Sequence, residues 1–271
     1  MMLGNLWRQV GPFDPGFLPA MRRYGDIIYA LLRREHERRL RSPLEALADV
    51  LEPIMLVCLL GLLWNFLHRR STSPLGDSSI LFLSTGLYAK FYWISLGALR
   101  RNTGGARRRF PVERRFDYIL VHMILTTADY LLLAFVGFGI LYIFFTDSAV
   151  PYNFLPVVEA MFALMALGFG WGMISLVLFR YFWPWAYFGP LVTRALILFS
   201  GIFFLAEFLP AQARYVLSFN PVLHAVALFR TGFYPNYPVG MLDTTYLTCC
   251  AIFSVFIGLV IERVTVRFEA P

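Results

Sequence analysis

The side chains best able to do chemistry in this sequence are charges set inside or at the edges of long apolar runs: Glu52, Lys90, Asp129, Glu159 and Arg194. At mid-bilayer each would cost at least about 2.5 kcal/mol, so each is expected to face protein, water or a lipid headgroup. Lys90 and Asp129 fall near the middle of consecutive runs, which predicts an intramembrane ion pair between them. Glu52 and Glu159 stand near run ends and can reach the headgroup region. Arg194 is about two turns into its run. It either snorkels to the membrane surface or meets an anionic headgroup of a substrate.

No catalytic constellation accompanies these charges. No G-x-x-x-x-G-K-[ST] phosphate loop precedes Lys90, the sole lysine, so any ATP used must be hydrolysed by another chain. H-E-x-x-H and G-x-S-x-G are also absent. Cys58, Cys249 and Cys250 lie in apolar runs without metal-ligand spacing to a histidine, and read as small apolar fillers with no disulfide or metal site. His224 and Arg230 are six residues apart on one short helix, hence on different faces. A role in gating or packing suits them better than shared catalysis.

Long helices must position these residues. The chain has 271 residues, 58% hydrophobic and 17% aromatic, with formal net charge +7 and mean hydropathy +0.62. A soluble domain is usually about 45–50% apolar. The excess is gathered into runs of about 20 residues or more, the length that crosses a bilayer. Six spans are expected, at 49–67, 80–99, 117–145, 154–179, 187–206 and 245–262. They are helices because backbone groups in lipid must be satisfied internally. Gly168 and Gly172, four apart in the fourth, suit close helix packing. No cleavable signal peptide is expected, since the first long apolar run begins near Ile54.

Ahead of these spans, residues 1–48 read as a cytoplasmic segment containing an amphipathic helix over about 19–41. Met21, Tyr24, Ile28 and Leu31 form its apolar stripe, with Arg22, Arg23, Arg33, Arg34 and Arg38 as its charge. It either lies on the membrane surface or packs on a soluble partner. With both termini inside, and 263–271 as a cytoplasmic tail, eighteen arginines fall on the inner side against four outside. That is the positive-inside pattern, and it makes topology rather than nucleic acid the reason for the basic balance.

The 206–244 connection is too apolar for a solvated loop and too punctuated for two more spans. Asn220-Pro221 predicts a helix start and Gly232 its stop, giving a helix over 221–231 and another near 211–218. Both are expected to be interfacial or re-entrant and shielded by protein. Two aromatic clusters stand out. The one at 179–187 reads as an interfacial belt. Tyr88, Tyr92 and Trp93, deeper in the membrane, either pack or line a pore.

Taken in order, several short segments resemble the type-2 ABC exporter permeases, specifically the branch that exports capsular polysaccharide. They are Leu51-Glu52-Pro53, Phe82-Leu83-x-Thr85-Gly86-Leu87, Ser200-Gly201-Ile202-Phe203-Phe204, Leu209-Pro210, Asn220-Pro221-x-x-His224, Arg230 and Pro235-x-Tyr237. Arg194 falls where that family usually carries a basic residue. The sequence departs from the family at Glu45, Ala46, Ala48 and Leu205, and in its arginine-rich 100–115 stretch.

The resemblance implies an all-α transport subunit, not an enzyme, in the bacterial inner membrane. It implies a homodimer bound to two copies of an ATPase subunit that holds the ATP and Mg. It also implies a periplasmic co-polymerase-type partner and a lipid-linked acidic polysaccharide as cargo. Arg33, Arg34, Arg38, Arg100, Arg101, Arg107, Arg108 and Arg109 would contact the ATPases. Asn220, Pro221, His224 and Arg230 would gate the outer mouth. Tyr88, Tyr92, Trp93 and Arg194 would meet the polymer in a channel. Export of O-antigen or another lipid-linked glycan is the runner-up. A membrane-embedded lipid-linked sugar transferase would need clustered acidic residues, and a secondary transporter internal repeats; the sequence has neither.

Overall fold

The computed structural model describes residues 17–41, 55, 59, 79–97, 115–144 and 147–269, and every regular element among them is helical. The helices are α1 (Phe17–Arg41), α2 (Ser79–Gly97), α3 (Arg115–Phe144), α4 (Phe154–Tyr181), α5 (Trp185–Leu198), α6 (Ala211–Leu217), α7 (Pro221–Thr231) and α8 (Thr244–Glu269). Short 3-10 turns occupy Asp147–Ala149 and Ala206–Phe208. Apart from Met55 and Leu59, the run expected at 49–67 lies outside the described residues, as do the arginines at 100, 101, 107, 108 and 109.

Among the described residues, three helices contain stretches long and apolar enough to cross a membrane: Ile119–Ile143, Phe154–Phe179 and Thr244–Thr265. Their sides turned from the core carry large apolar residues in the open, such as Phe135, Ile143, Phe162 and Ile252. A soluble monomer rarely leaves so much apolar surface bare, but lipid covers it. The fifth run, expected to continue to 206, stops as a helix at Leu198. At 1.5 Å per residue its 14 residues reach about 21 Å, short of a hydrocarbon core of about 30 Å. The chain leaves it through a turn at Gly201, whose φ of 72° lies in the left-handed region that glycine adopts without steric cost.

α4 is the hub, packed against α2, α5, α7 and α8. The small residues of its middle set the spacing. Gly168 backs onto α2, where a Cβ would come within 2.7 Å of Leu96 Cβ, and Gly170 backs onto Ser254 of α8. α1 packs on α3: Leu31 is buried, and the Tyr24 hydroxyl donates to Asp117 Oδ1 at 3.0 Å, in the first turn of α3. Asp117 there also complements the positive end of the helix dipole. On the outer side of α1, Arg33 Nε donates to Glu37 at 2.9 Å, an exposed pair one turn apart.

Candidate functional site

α7 forms where its signals predict. Asn220 Oδ1 accepts from Val222 N at 3.0 Å, and Pro221 takes the first helical position, where its missing N–H costs nothing. Asn220 does more than cap. Its Nδ2 donates to Leu196 O at 2.8 Å and Phe199 O at 3.1 Å, tying the start of α7 to the open carbonyl end of α5. Gly232 ends the helix, but at φ −72° rather than in the left-handed form. It is pressed against the start of α4, where a Cβ would meet Val157 and the Asn153 carbonyl, and its own carbonyl accepts from Asn153 N at 3.0 Å.

Nine consecutive residues of α7, from Val222 to Arg230, are buried. Arg230 is the largest polar side chain among them, at 1% exposure. Its Nη1 donates to Gly201 O at 2.7 Å. Its Nη2 donates to Ile202 O at 2.8 Å and Phe82 O at 3.0 Å. Nε makes a long contact of 3.4 Å to Thr85 Oγ1. The guanidinium plane lies over the Phe82 ring, 3.6 Å from its centroid.

Gly86 makes this approach possible. A Cβ there would stand 2.6 Å from Arg230 Nη2 and 3.1 Å from Ile202 Cα. No carboxylate forms a salt bridge with Arg230 among the described residues. Backbone carbonyls hold the charge instead, in a fork geometry that an ammonium could not reproduce. Burial pulls the guanidinium below its usual pKa range, opposed by Tyr237, which is within hydrogen-bond reach, and by Tyr234 and Glu207. Burial likewise pushes the Tyr237 hydroxyl up, against the pull of Arg230.

This knot joins three segments that the sequence shows only as separate motifs. Phe82-Leu83-x-Thr85-Gly86, Ser200-Gly201-Ile202 and Pro235-x-Tyr237 converge on Arg230. Sequence reasoning about charge pairs looks for a carboxylate partner, and so gave Phe82, Thr85, Gly86, Gly201 and Ile202 no role. The glycines at 86 and 201 are the signal that could have found them.

On its other face, His224 is 2% exposed. Its Nδ1 accepts from Asp243 N at 3.2 Å, so Nε2 carries the proton and donates to Ser218 O at 2.8 Å. His224 therefore staples α7 to the C-terminal end of α6 and to the start of α8. As their spacing predicts, His224 and Arg230 do not meet.

Other expected site residues are placed differently. Tyr88, Tyr92 and Trp93 are buried in the core of the chain rather than on an open face. The Tyr88 hydroxyl donates to Tyr130 O at 2.8 Å, and its ring stacks on Phe229 of α7 at 5.3 Å. Tyr92 bonds Thr127 at 3.1 Å, and Ser95 bonds Tyr130 at 2.8 Å.

Positions 88, 92 and 95 thus form the seam with α3. Lys90, two residues from both 88 and 92, points elsewhere. Its ammonium lies 5.0 Å from the Phe91 ring centroid, and no ion pair joins it to Asp129. The depth argument matched these two residues, but the helix faces did not. Arg194 is exposed.

A bundle of long apolar helices, with the buried helix α7 tied to three other segments, defines a multi-pass membrane protein whose outward-looking surface is made for lipid. The chain belongs to the ABC-2 type transporter family, whose model matches residues 27–234. Over 247 residues it is 30% identical to the polysialic acid transport protein KpsM of Escherichia coli, covering 87% of this chain and 92% of that protein. It is 24% identical over 242 residues to the capsule polysaccharide export inner-membrane protein CtrC of Neisseria meningitidis, covering 87% and 89%. The corresponding protein BexB of Haemophilus influenzae is 24% identical over 245 residues, covering 88% and 91%.

Proposed function

We propose that this chain is the permease subunit of an ATP-driven exporter that carries lipid-linked capsular polysaccharide from the cytoplasm across the inner membrane. The observation that carries this reading is its likeness, across nearly the whole length of each chain, to proteins named for polysialic acid transport and capsule export. The absence of any phosphate-loop motif from the sequence fits a subunit that borrows its energy from a separate ATPase.

In this reading two copies of the chain, each with six spans and both termini in the cytoplasm, enclose the path between them. The arginines of α1, with Arg100, Arg101, Arg107, Arg108 and Arg109, dock two ATPase subunits. ATP-driven closure pushes on the 100–115 stretch and tilts the spans. The 206–244 hairpin, with Asn220, Pro221, His224 and Arg230, closes the outer mouth. Exposed Arg194 is left to meet the anionic cargo, since Tyr88, Tyr92 and Trp93 are packed away. A periplasmic co-polymerase-type protein receives the polymer.

The test is deletion of this chain in its capsule-forming host. Polysaccharide should vanish from the cell surface and accumulate inside with its lipid end attached, and the intact chain should restore export. Undiminished surface polysaccharide in the deletion strain would rule the reading out.

A further inference from the structure

Besides the Arg230 knot, the 206–244 hairpin carries a cavity of about 430 Å³ with no assigned role, closed on one side by the start of α8. That volume is in the range of small-molecule sites. Its chemistry comes from Arg214, Tyr215, Phe219, His224, Asp243 and Tyr246.

Three of these make up a fixed wall. Both His224 nitrogens are engaged, as described. The Tyr246 hydroxyl donates to Phe219 O at 2.8 Å, and Asp243 Oδ1 accepts from Tyr246 N at 2.8 Å. The other groups remain available. The Arg214 guanidinium has no hydrogen bond or ion pair among the described residues, and Asp243 Oδ2 is left to accept. The exposed rings of Tyr215 and Phe219 meet edge to face, with centroids 5.3 Å apart and planes at 89°.

We propose that this cavity binds one acidic pyranose unit. An aromatic face stacks on the apolar face of a sugar ring. A guanidinium fork matches a carboxylate in two bonds. A carboxylate oxygen accepts hydroxyl donors, and repels a phosphate monoester, with close to two negative charges, more than the single charge of a sugar carboxylate. Because the wall is held by its own hydrogen bonds, little ordering cost attends binding.

The inference rests on the export reading for its meaning: the hairpin would hold a sugar of the emerging polymer. The site itself can be tested separately. The full chain, purified in lipid nanodiscs with the subunits that accompany it, is titrated with a glucuronate-containing tetrasaccharide and followed by saturation-transfer NMR. The same sugar with its carboxyls reduced to alcohols, and glycerol phosphate, serve as competitors.

The tetrasaccharide should bind, and either Arg214→Gln or carboxyl reduction should weaken binding about tenfold, the loss of one charge-assisted hydrogen bond or more. Tyr215→Ala should weaken it as well. No binding, equal binding of the reduced sugar, or equal competition by glycerol phosphate would overturn the proposal. The carboxyl-reduced sugar gives this answer on the unaltered chain, whatever the variants do to folding. No binding in a chain whose deletion still abolishes surface polymer would sink the site and leave export standing. Arg214-dependent binding in a chain whose deletion leaves surface polymer unchanged would do the reverse.

Discussion

The 206–244 hairpin and α1 are both amphipathic additions to the helix bundle, yet they are fastened in opposite ways. The hairpin is held by a buried arginine with four hydrogen bonds, an asparagine with three and a histidine with two. Among the described residues, α1 meets α3 through buried Leu31 and a hydrogen bond from Tyr24 to Asp117. A fastening with many buried polar contacts opens all at once or not at all, since each unmet group carries a desolvation cost. The hairpin is thus tied through buried polar groups to α2 and the end of α5, while α1 meets α3 near its first turn.

The strongest way to break this comparison is Arg230→Ala, which strips four acceptors at once. We expect a loss of at least about 3 kcal/mol, read as a marked drop in the thermal midpoint of the purified protein and rapid proteolysis within 206–244. Arg230→Lys should recover little of it, because one ammonium cannot fill a planar fork. A variant as stable as the parent would mean that the knot holds nothing.

Gly86→Ala should come next, at about 1–3 kcal/mol, because the new methyl overlaps Arg230 Nη2 and presses on Ile202. Asn220→Ala should cost about 1–2 kcal/mol through the lost cap. Asn220→Asp sharpens the test, since it keeps the capping oxygen but turns a donor into an acceptor facing the carbonyls of Leu196 and Phe199. It should therefore destabilise about as much as alanine. Tyr24→Phe should be smallest, about 1 kcal/mol or less. It should raise hydrogen exchange in α1 and leave the hairpin's exchange rates unchanged. Equal changes in both regions would erase the distinction.

Local signals carried much of this architecture. Asn220-Pro221 and Gly232 bound α7 to the residue, and the long apolar runs mark α2, α3 and α4 to within a few positions, while α8 runs to Glu269, seven residues past its expected end and into the stretch read as a tail. The stop of α5 at Leu198 was hidden because residues 199–206 are as apolar as those before them; only Gly201 hints at a turn. The acceptors of Arg230 were hidden because they are backbone carbonyls, which every residue has. Lys90 and Asp129 were matched by depth, but pairing also needs a shared face, and the seam at 88, 92 and 95 turns Lys90 away. Sequence position reports depth in a membrane well and rotation about the helix axis poorly.

The order in which the knot's parts are synthesised also matters. The carbonyls of Phe82, Gly201 and Ile202 are all translated before Arg230, which reaches back 148 residues to the first of them. Chains emerge N-terminus first, so these carbonyl acceptors are made before the guanidinium they bind. A polypeptide cut short before residue 230 would leave the two carbonyls beyond α5 without the guanidinium that binds them.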